Sequence, residues 1–372
     1  MFGSSIHVDV IEEIGSCSHL CLSMPDTSHK LAISKEASRI GILAGGSAEE
    51  RQLSLQGSKC ILEALQSKGY TQVSIINVSE SPDTRGDLIR SLLDVDVAFV
   101  CLHGAFGEDG VIQGILEGLR VPYTFSGPFT GTVGSDKILS KRYLSGCGAI
   151  EPVPGGTIFS DQPLPDVLPA AFPMMLKDQT LGCSKGVWRC NSMEELARCL
   201  KLCKSREVLV EQFVVGTDIV CCCVEMDGEL TVWPVVEFDM DPCSFQDLAS
   251  KNALWGWADD GDGSKSSAPP PPPVIKRCPA TRVPPSICIR AQQHARRIFT
   301  DMRASGALNV EFRVALSDSG SEENAHMYFI EMSVVPALTD MSVHACCARA
   351  GGMEYPDLVE CWLKTASLKS LE

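Results

Sequence analysis

The chain has no excess of positive charge, no apolar run longer than a strand, no basic leader, no Cys-x-x-Cys pair and no internal repeat. Each absence narrows what the protein does. With 372 residues and a formal net charge of −15, the molecule repels the phosphates of nucleic acid and of an anionic membrane, so neither is an expected partner. An anionic substrate would have to be met by locally placed lysines or Mg²⁺. The longest apolar stretches are strand-sized, well below the roughly 20 residues that a membrane-spanning helix needs, so a soluble protein is expected. Residues 1–37 include Asp9, Glu12 and Glu13 and lack an Arg-rich amphipathic pattern. They read as a loosely ordered extension rather than a targeting peptide.

The 18 cysteines invite a disulfide or zinc reading. Without a Cys-x-x-Cys pair that reading fails, and Cys221, Cys222 and Cys223 are adjacent in a strand-like run, where neighbours point to opposite faces. They read as small core-filling thiols of a reducing compartment, the cytoplasm or an organelle.

The chain is too long for one core, and its elements alternate. Residues 38–127 read as a parallel βαβαβ unit: the strand RIGILAGG, a helix from Ser54 to Ser67, a strand over Val73–Val78, a helix over Asp87–Asp94 and the buried strand VDVAFVCL. Residues 128–210 form a second unit with the helix SDKILSKRYLSG, the strand FPMMLK, a Gly-containing loop and the helix SMEELARCL. Residues 211–372 form a third, ending in the helix PDLVECWLKTA. The Gly/Ser/Pro-rich stretch at about 253–274, with five prolines from Pro269, reads as a solvated insertion.

The chemistry lies at the ends of these strands. HGAFGEDG, His103–Gly110, follows a buried strand, where open α/β sheets place ligands, and offers an imidazole beside Glu108 and Asp109. GGSAEERQLSL puts Glu49 and Glu50 where a helix opens; they complement the helix dipole or hold a cationic amine. Lys137 begins a helix, and Lys177 ends a strand that enters a Gly-containing loop carrying Ser184. The pair suits the phosphates of a nucleotide, although the loop lacks Walker spacing. Glu211 ends a strand, where it either is edge-exposed or accepts a hydrogen bond from a nucleoside. LNVEFRV and YFIEMS present Glu311 and Glu331, paired carboxylates that would repel one another without a cation such as Mg²⁺.

In this order the segments GGSAEERQLSL, HGAFGEDGVIQGILEGLRVPYTFSG and SDKILSKRYLSGCG resemble the D-alanine:D-alanine ligase family of the ATP-grasp superfamily, over about residues 39–363. The resemblance implies an α/β protein with an ATP-grasp fold: an N-terminal parallel-sheet, Rossmann-like domain, a central α+β domain and a C-terminal α+β domain. It implies ATP-dependent formation of D-alanyl-D-alanine through an acyl phosphate, with one or two Mg²⁺ ions, or Mn²⁺, and a homodimer. Carried onto this chain, it places Glu50 on the first substrate's ammonium and His103 near that substrate's carboxylate. Lys137 and Lys177 fall on the ATP phosphates, Ser184 in the mobile serine loop, Glu211 on the adenine side and Asp218 at the ribose. Lys251 is retained from a site-closing segment in which Asn252 replaces a tyrosine. Glu331 falls on a metal and Ser342 on the second substrate.

Departures from the family concentrate at the acyl-transfer chemistry. Asn309 stands for an arginine that stabilises the oxyanion, Glu311 for a metal-binding aspartate, Ser333 for a metal-binding asparagine and Ala337 for an oxyanion-hole glycine. The alternatives to D-alanyl-D-alanine synthesis are therefore a ligase with another second amino or hydroxy acid, or an ATP-binding homologue impaired in turnover.

Overall fold

The computed structural model describes residues 32–46, 50–79, 84–182, 184–245, 275–315 and 325–369. Lys251, Asn252 and the proline-rich insertion lie outside them. Three sheets organise the chain. β1 (Ile40–Gly45), β2 (Val73–Val78) and β3 (Val97–Val100) pair in parallel in the order β2-β1-β3. β1 and β3 are buried along their length, as uninterrupted apolar runs in a covered parallel sheet should be, and β2 at the edge is partly exposed. The crossover helices are α1 (Arg51–Ser67) and α2 (Arg85–Leu93). The apolar stripe of α1, Leu53, Ile61 and Leu65, is buried against this sheet.

After α3 (Val111–Leu119), two short helices lead into the second sheet: α4 (Pro128–Gly134), for which the sequence pattern has no counterpart, and α5 (Lys137–Gly146). α5 starts where it does because the extended Asp136 accepts from the backbone N–H groups of Ile138 and Leu139, both at 2.9 Å. β4 (Glu151–Pro152) is followed by β5 (Gly155–Phe159), β6 (Met174–Asp178), β7 (Val187–Cys190), α6 (Met193–Leu200) and β8 (Glu207–Gln212). β5 to β8 form an antiparallel sheet in the order β5-β8-β6-β7. The expected division between residues 210 and 211 falls inside β8. Its ladders to β5 and β6 continue through Glu211, so the central unit extends to Gln212.

The third sheet contains β9 (Thr217–Met226), β10 (Glu229–Val232), β11 (Val236–Asp239), β12 (Ile275–Arg277), β13 (Ala307–Ala315) and β14 (His326–Ser333), with α7 (Pro285–Asp301), α8 (Val343–Ala350) and α9 (Tyr355–Lys364) packed around it. Its order is β12-β11-β9-β13-β14-β4, with β10 on β9. β9 separates two cores. Cys222 and Val224 join the one that holds β1, β3 and Trp362, whereas Cys221 and Cys223 join the one under α7. The three cysteines alternate as expected, and the described cysteines are free thiols.

Residues 32–37 correct the expectation of a loose extension to residue 37. Ile33 packs against the first core, and the Lys35 ammonium donates to the Lys68 carbonyl at 2.8 Å and pairs with Glu360 at 3.1 Å. Among the described residues no helix is long and apolar enough to cross a membrane.

Candidate active site

The loop after β3 folds on its own carboxylates. Asp109 accepts from the N–H groups of Phe106 (2.8 Å) and Val111 (3.1 Å), and Glu108 accepts from that of Gly104 (3.0 Å). Gly107 lies so close to Leu102 that a Cβ would come within 2.6 to 2.8 Å of its Cβ, carbonyl carbon and carbonyl oxygen, and this position needs glycine. Asp109 is thus a structural residue. His103 is buried, its Nδ1 3.7 Å from Glu108, and its Nε2 has no hydrogen-bond partner among the described residues. A buried unpaired imidazole nitrogen costs free energy that a ligand's polar atom can recover.

Glu50 does not belong to a first helical turn. It is the residue before α1, and its side chain makes no capping hydrogen bond, so the carboxylate is not spent on the helix amides. Glu49 lies outside the described residues. Burial, and then the Glu108 charge, push the Glu50 carboxyl up to about 7, against the pull of His103, Lys185 and Lys137. An added cation here would be met by two carboxylates, Glu50 and Glu108. The Glu50 carboxylate also touches the loop after β6: a Cβ on Gly182 would stand 2.6 Å from Oε1.

A second group of residues lines one cavity between the second and third sheets: Lys137, Lys177, Ser184, Glu211, Asp218, Glu311 and Glu331. Lys177 on β6 donates to Glu211 on β8 at 2.8 Å. Lys141, on α5, approaches the other Glu211 oxygen at 2.9 Å. All three charges are buried. Burial alone would raise the Glu211 carboxyl, but the ammonium groups of Lys141 and Lys177 outweigh it and hold the group below its ordinary value. Burial and the like charge of Lys177 lower the Lys141 ammonium, because two cations share one anion. Lys137 donates to the Leu181 carbonyl at 2.6 Å and lies 3.6 Å from Glu331. Ser184 sits in the same loop in the left-handed conformation, with φ 59°.

Glu311 on β13 and Glu331 on β14 are direct antiparallel partners. Register therefore puts the two side chains next to one another on one face of the sheet. Among the described residues no group of three or more His, Cys, Asp or Glu can hold a metal by itself. The donor set suits Mg²⁺, which takes one or two carboxylates and completes its shell with phosphate oxygens and water. Two positions along the ladder, Asn309 faces Ser333 in the same way. The Asn309 Oδ1 is buried with no hydrogen-bond partner among the described residues.

Some expected residues carry structural contacts as well. Asp218 is engaged by Arg313, whose guanidinium donates to it at 2.8 Å and also to the carbonyls of Val214, Pro242 and Ser244. Ser342 caps α8, accepting from the N–H of Ala345 at 3.1 Å. Its hydroxyl hydrogen remains able to donate. Ala337 is not in a left-handed conformation, so alanine brings no backbone strain there. Glu50, His103, Asn309, Ser333, Ala337 and Ser342 stand outside the lining of the lysine-rich cavity.

Sequence reasoning missed Lys141 and Arg313. Lys141 sits in a polar stretch of helix and signals nothing by itself. Arg313 lies two residues beyond Glu311 and four beyond Asn309 on one face of a strand, and that period was the available signal.

Residues 167–364 match the family model for the D-ala D-ala ligase C-terminus, and residues 77–126 the model for the D-ala D-ala ligase N-terminus. The D-alanine–D-alanine ligase of Desulforudis audaxviator is 32% identical over 331 residues, 87% of this chain and 96% of that protein. The ligase of Geotalea uraniireducens is 32% identical over 337 residues, covering 89% and 96%. Among solved structures, the D-alanine–D-alanine ligase of Bacillus anthracis superposes with a TM-score of 0.68 at 23% identity, over 88% of this chain and 97% of its own. The same enzyme complexed with ATP gives 0.68 and 23%, over 88% and 96%. At that identity the structures speak for the ATP-grasp fold. The matched sequence segments speak for descent as well, and the chain belongs to the D-alanine–D-alanine ligase family.

Proposed function

We propose that the protein joins two D-alanine molecules at the expense of ATP, and that the side-by-side Glu311 and Glu331 beside Lys137 and Lys177 form its phosphoryl-transfer centre. The observation that carries this reading is the convergence of those four groups, from α5, β6, β13 and β14, on one cavity. Lys177 and Lys137 would meet the phosphate oxygens of ATP. Glu311 and Glu331 would hold Mg²⁺, which when bound neutralises charge building on those oxygens. For a second ion, Ser333 offers a hydroxyl oxygen where the family has an amide oxygen, so one ion is better provided for than two.

A carboxylate oxygen of the first D-alanine attacks the γ-phosphorus while its bond to the ADP oxygen breaks, giving an acyl phosphate. The amine of the second D-alanine then forms a bond to the acyl carbon, loses its proton, and expels phosphate. Glu50 and Glu108 receive the first substrate's ammonium, and His103 Nε2 is free to bind its carboxylate. These roles hold the carboxylate in line with the nucleotide, and positioning supplies much of the rate in such transfers. Ala337 N–H and the Asn309 amide are the groups available to the tetrahedral oxyanion, and Ser342 is available to the second substrate. No cation stands at position 309, so acyl transfer is expected to be the slower half.

Phosphate release from ATP, with D-alanine alone and then with a panel of amino and hydroxy acids, tests the reading. Release with D-alanine, together with D-alanyl-D-alanine found by mass spectrometry, supports it. Release only with another acceptor, or none despite stabilisation by ATP, overturns it. The homodimer and the reducing compartment belong to the same proposal, and light scattering reads the first.

A further inference from the structure

Lys141 is held on every side. Its ammonium approaches Glu211 on β8 at 2.9 Å, donates to the Phe329 carbonyl on β14 at 2.7 Å, and lies 5.2 Å from the centre of the Phe329 ring. Lys177 on β6 and Glu331 on β14 are the other charges acting on it. One side chain on α5 thus ties together the two sheets that enclose the cavity. A lysine is rarely buried this deeply unless something compensates its charge. Here Glu211 is shared, since it is also the partner of Lys177, and the Phe329 carbonyl and the Glu331 charge supply the rest of the compensation. With Lys141 removed, Glu211 and Lys177 would form a closed one-to-one pair in a medium of low polarity, where such pairs hold tightly. With Lys141 present, the carboxylate is divided, and the Lys177 ammonium, which lines the cavity, keeps part of its charge for another anion.

We propose that Lys141 is a positioning residue for the nucleotide: by occupying one oxygen of Glu211 it weakens the grip of Glu211 on Lys177 and leaves that ammonium to the phosphates. This rests on the reading of the cavity as an ATP site. Lys141 does not line the cavity, and its influence passes through Glu211. The role differs from plain structural support in one respect. Support would be lost whatever stands at position 211, whereas the charge competition vanishes when Glu211 is neutral.

The test is a double-mutant cycle with Lys141→Met and Glu211→Gln, reading ATP affinity by calorimetry on the full chain and KM for ATP and for D-alanine in turnover. Lys141→Met is expected to weaken ATP about tenfold, with KM for D-alanine unchanged. Lys141→Arg should restore most of the loss. In the Glu211→Gln background, Lys141→Met should change ATP affinity less than twofold, within about 0.4 kcal/mol. An equal or greater loss in that background overturns the proposal, as does a rise in the D-alanine KM to match that for ATP. If Lys141→Met does not fold, Lys141→Gln, which keeps a polar group beside the Phe329 carbonyl but carries no charge, replaces it in both backgrounds of the cycle and is read in the same way. Failure of the wild-type protein to bind ATP would sink the ATP reading itself, a different result from unaltered binding by Lys141→Met.

Discussion

The two halves of the candidate site handle buried charge differently. In the lysine-rich cavity most charges sit beside an opposite one: Glu211 has two lysines, Lys137 has Glu331, and Asp218 has Arg313. In the corner made by Glu50, Glu108 and His103, two carboxylates face each other, and one imidazole nitrogen is unpaired among the described residues. The first arrangement can stand by itself. The second costs stability that a cation and an anion on one small molecule would recover, the pattern expected where function overrides folding economy.

The comparison can be broken most severely at the paired carboxylates. Glu331→Gln removes one proposed Mg²⁺ ligand and the partner of Lys137, and should lower kcat/KM by on the order of 10³ while ATP still stabilises the fold. Full activity in that variant would mean that the cavity is a binding site rather than a reaction centre. Next comes the corner. Glu50→Gln should raise KM for the first D-alanine by about 10², the loss of a charge-assisted contact to an ammonium, with KM for ATP little changed.

Much of this was legible in the sequence, for physical reasons that differ by residue. β2 occupies the span Val73–Val78 that its alternation and flanking turns mark, and α6 begins behind Ser192, which accepts from the Glu195 N–H as a capping serine does. Glu311 and Glu331 were readable because period-2 strands have predictable neighbours. The charges of Lys141 and Arg313 were not, since their burial arises when distant sheets close around them. α4 was invisible because PFTGTVG has too few apolar residues to show a period. The chemistry of Glu50 was only half legible: the carboxylate was, but the pressure of Glu108 on it depends on how the loop after β3 folds.

Asn309→Arg asks whether the weaker half is inherited damage or a rebuilt site. A cation beside Ser333 should raise D-alanine-dependent turnover about tenfold, part of what one oxyanion donor supplies. An unchanged or lower rate would mark the site as rebuilt. The pH dependence sharpens the corner further. Glu50, at about 7 in the folded protein against 4.5 ordinarily, must ionise to hold an ammonium, so the D-alanine KM should climb as pH falls from 8 to 6 in wild type and stay flat in Glu50→Gln. Stability has the opposite sign. A carboxyl raised by folding favours the fold while protonated and costs stability as pH rises from 4.5 through 7. Glu50→Gln should therefore melt a few degrees above wild type at pH 8, a gain that shrinks toward zero near pH 4.5. An advantage independent of pH would discount the raised carboxyl.

The contact between Gly182 and the Glu50 carboxylate has a thermodynamic consequence. The loop that carries Gly182 also holds Lys137 through the Leu181 carbonyl, so a nucleotide that drew on Lys137 would pull on the loop that abuts Glu50. At the proposed sites, the two ligands are therefore expected to be coupled. Whatever factor ATP imposes on the affinity for D-alanine, D-alanine must impose on the affinity for ATP, and a Gly182→Ala change, which presses on the carboxylate, should alter that shared factor rather than either affinity alone.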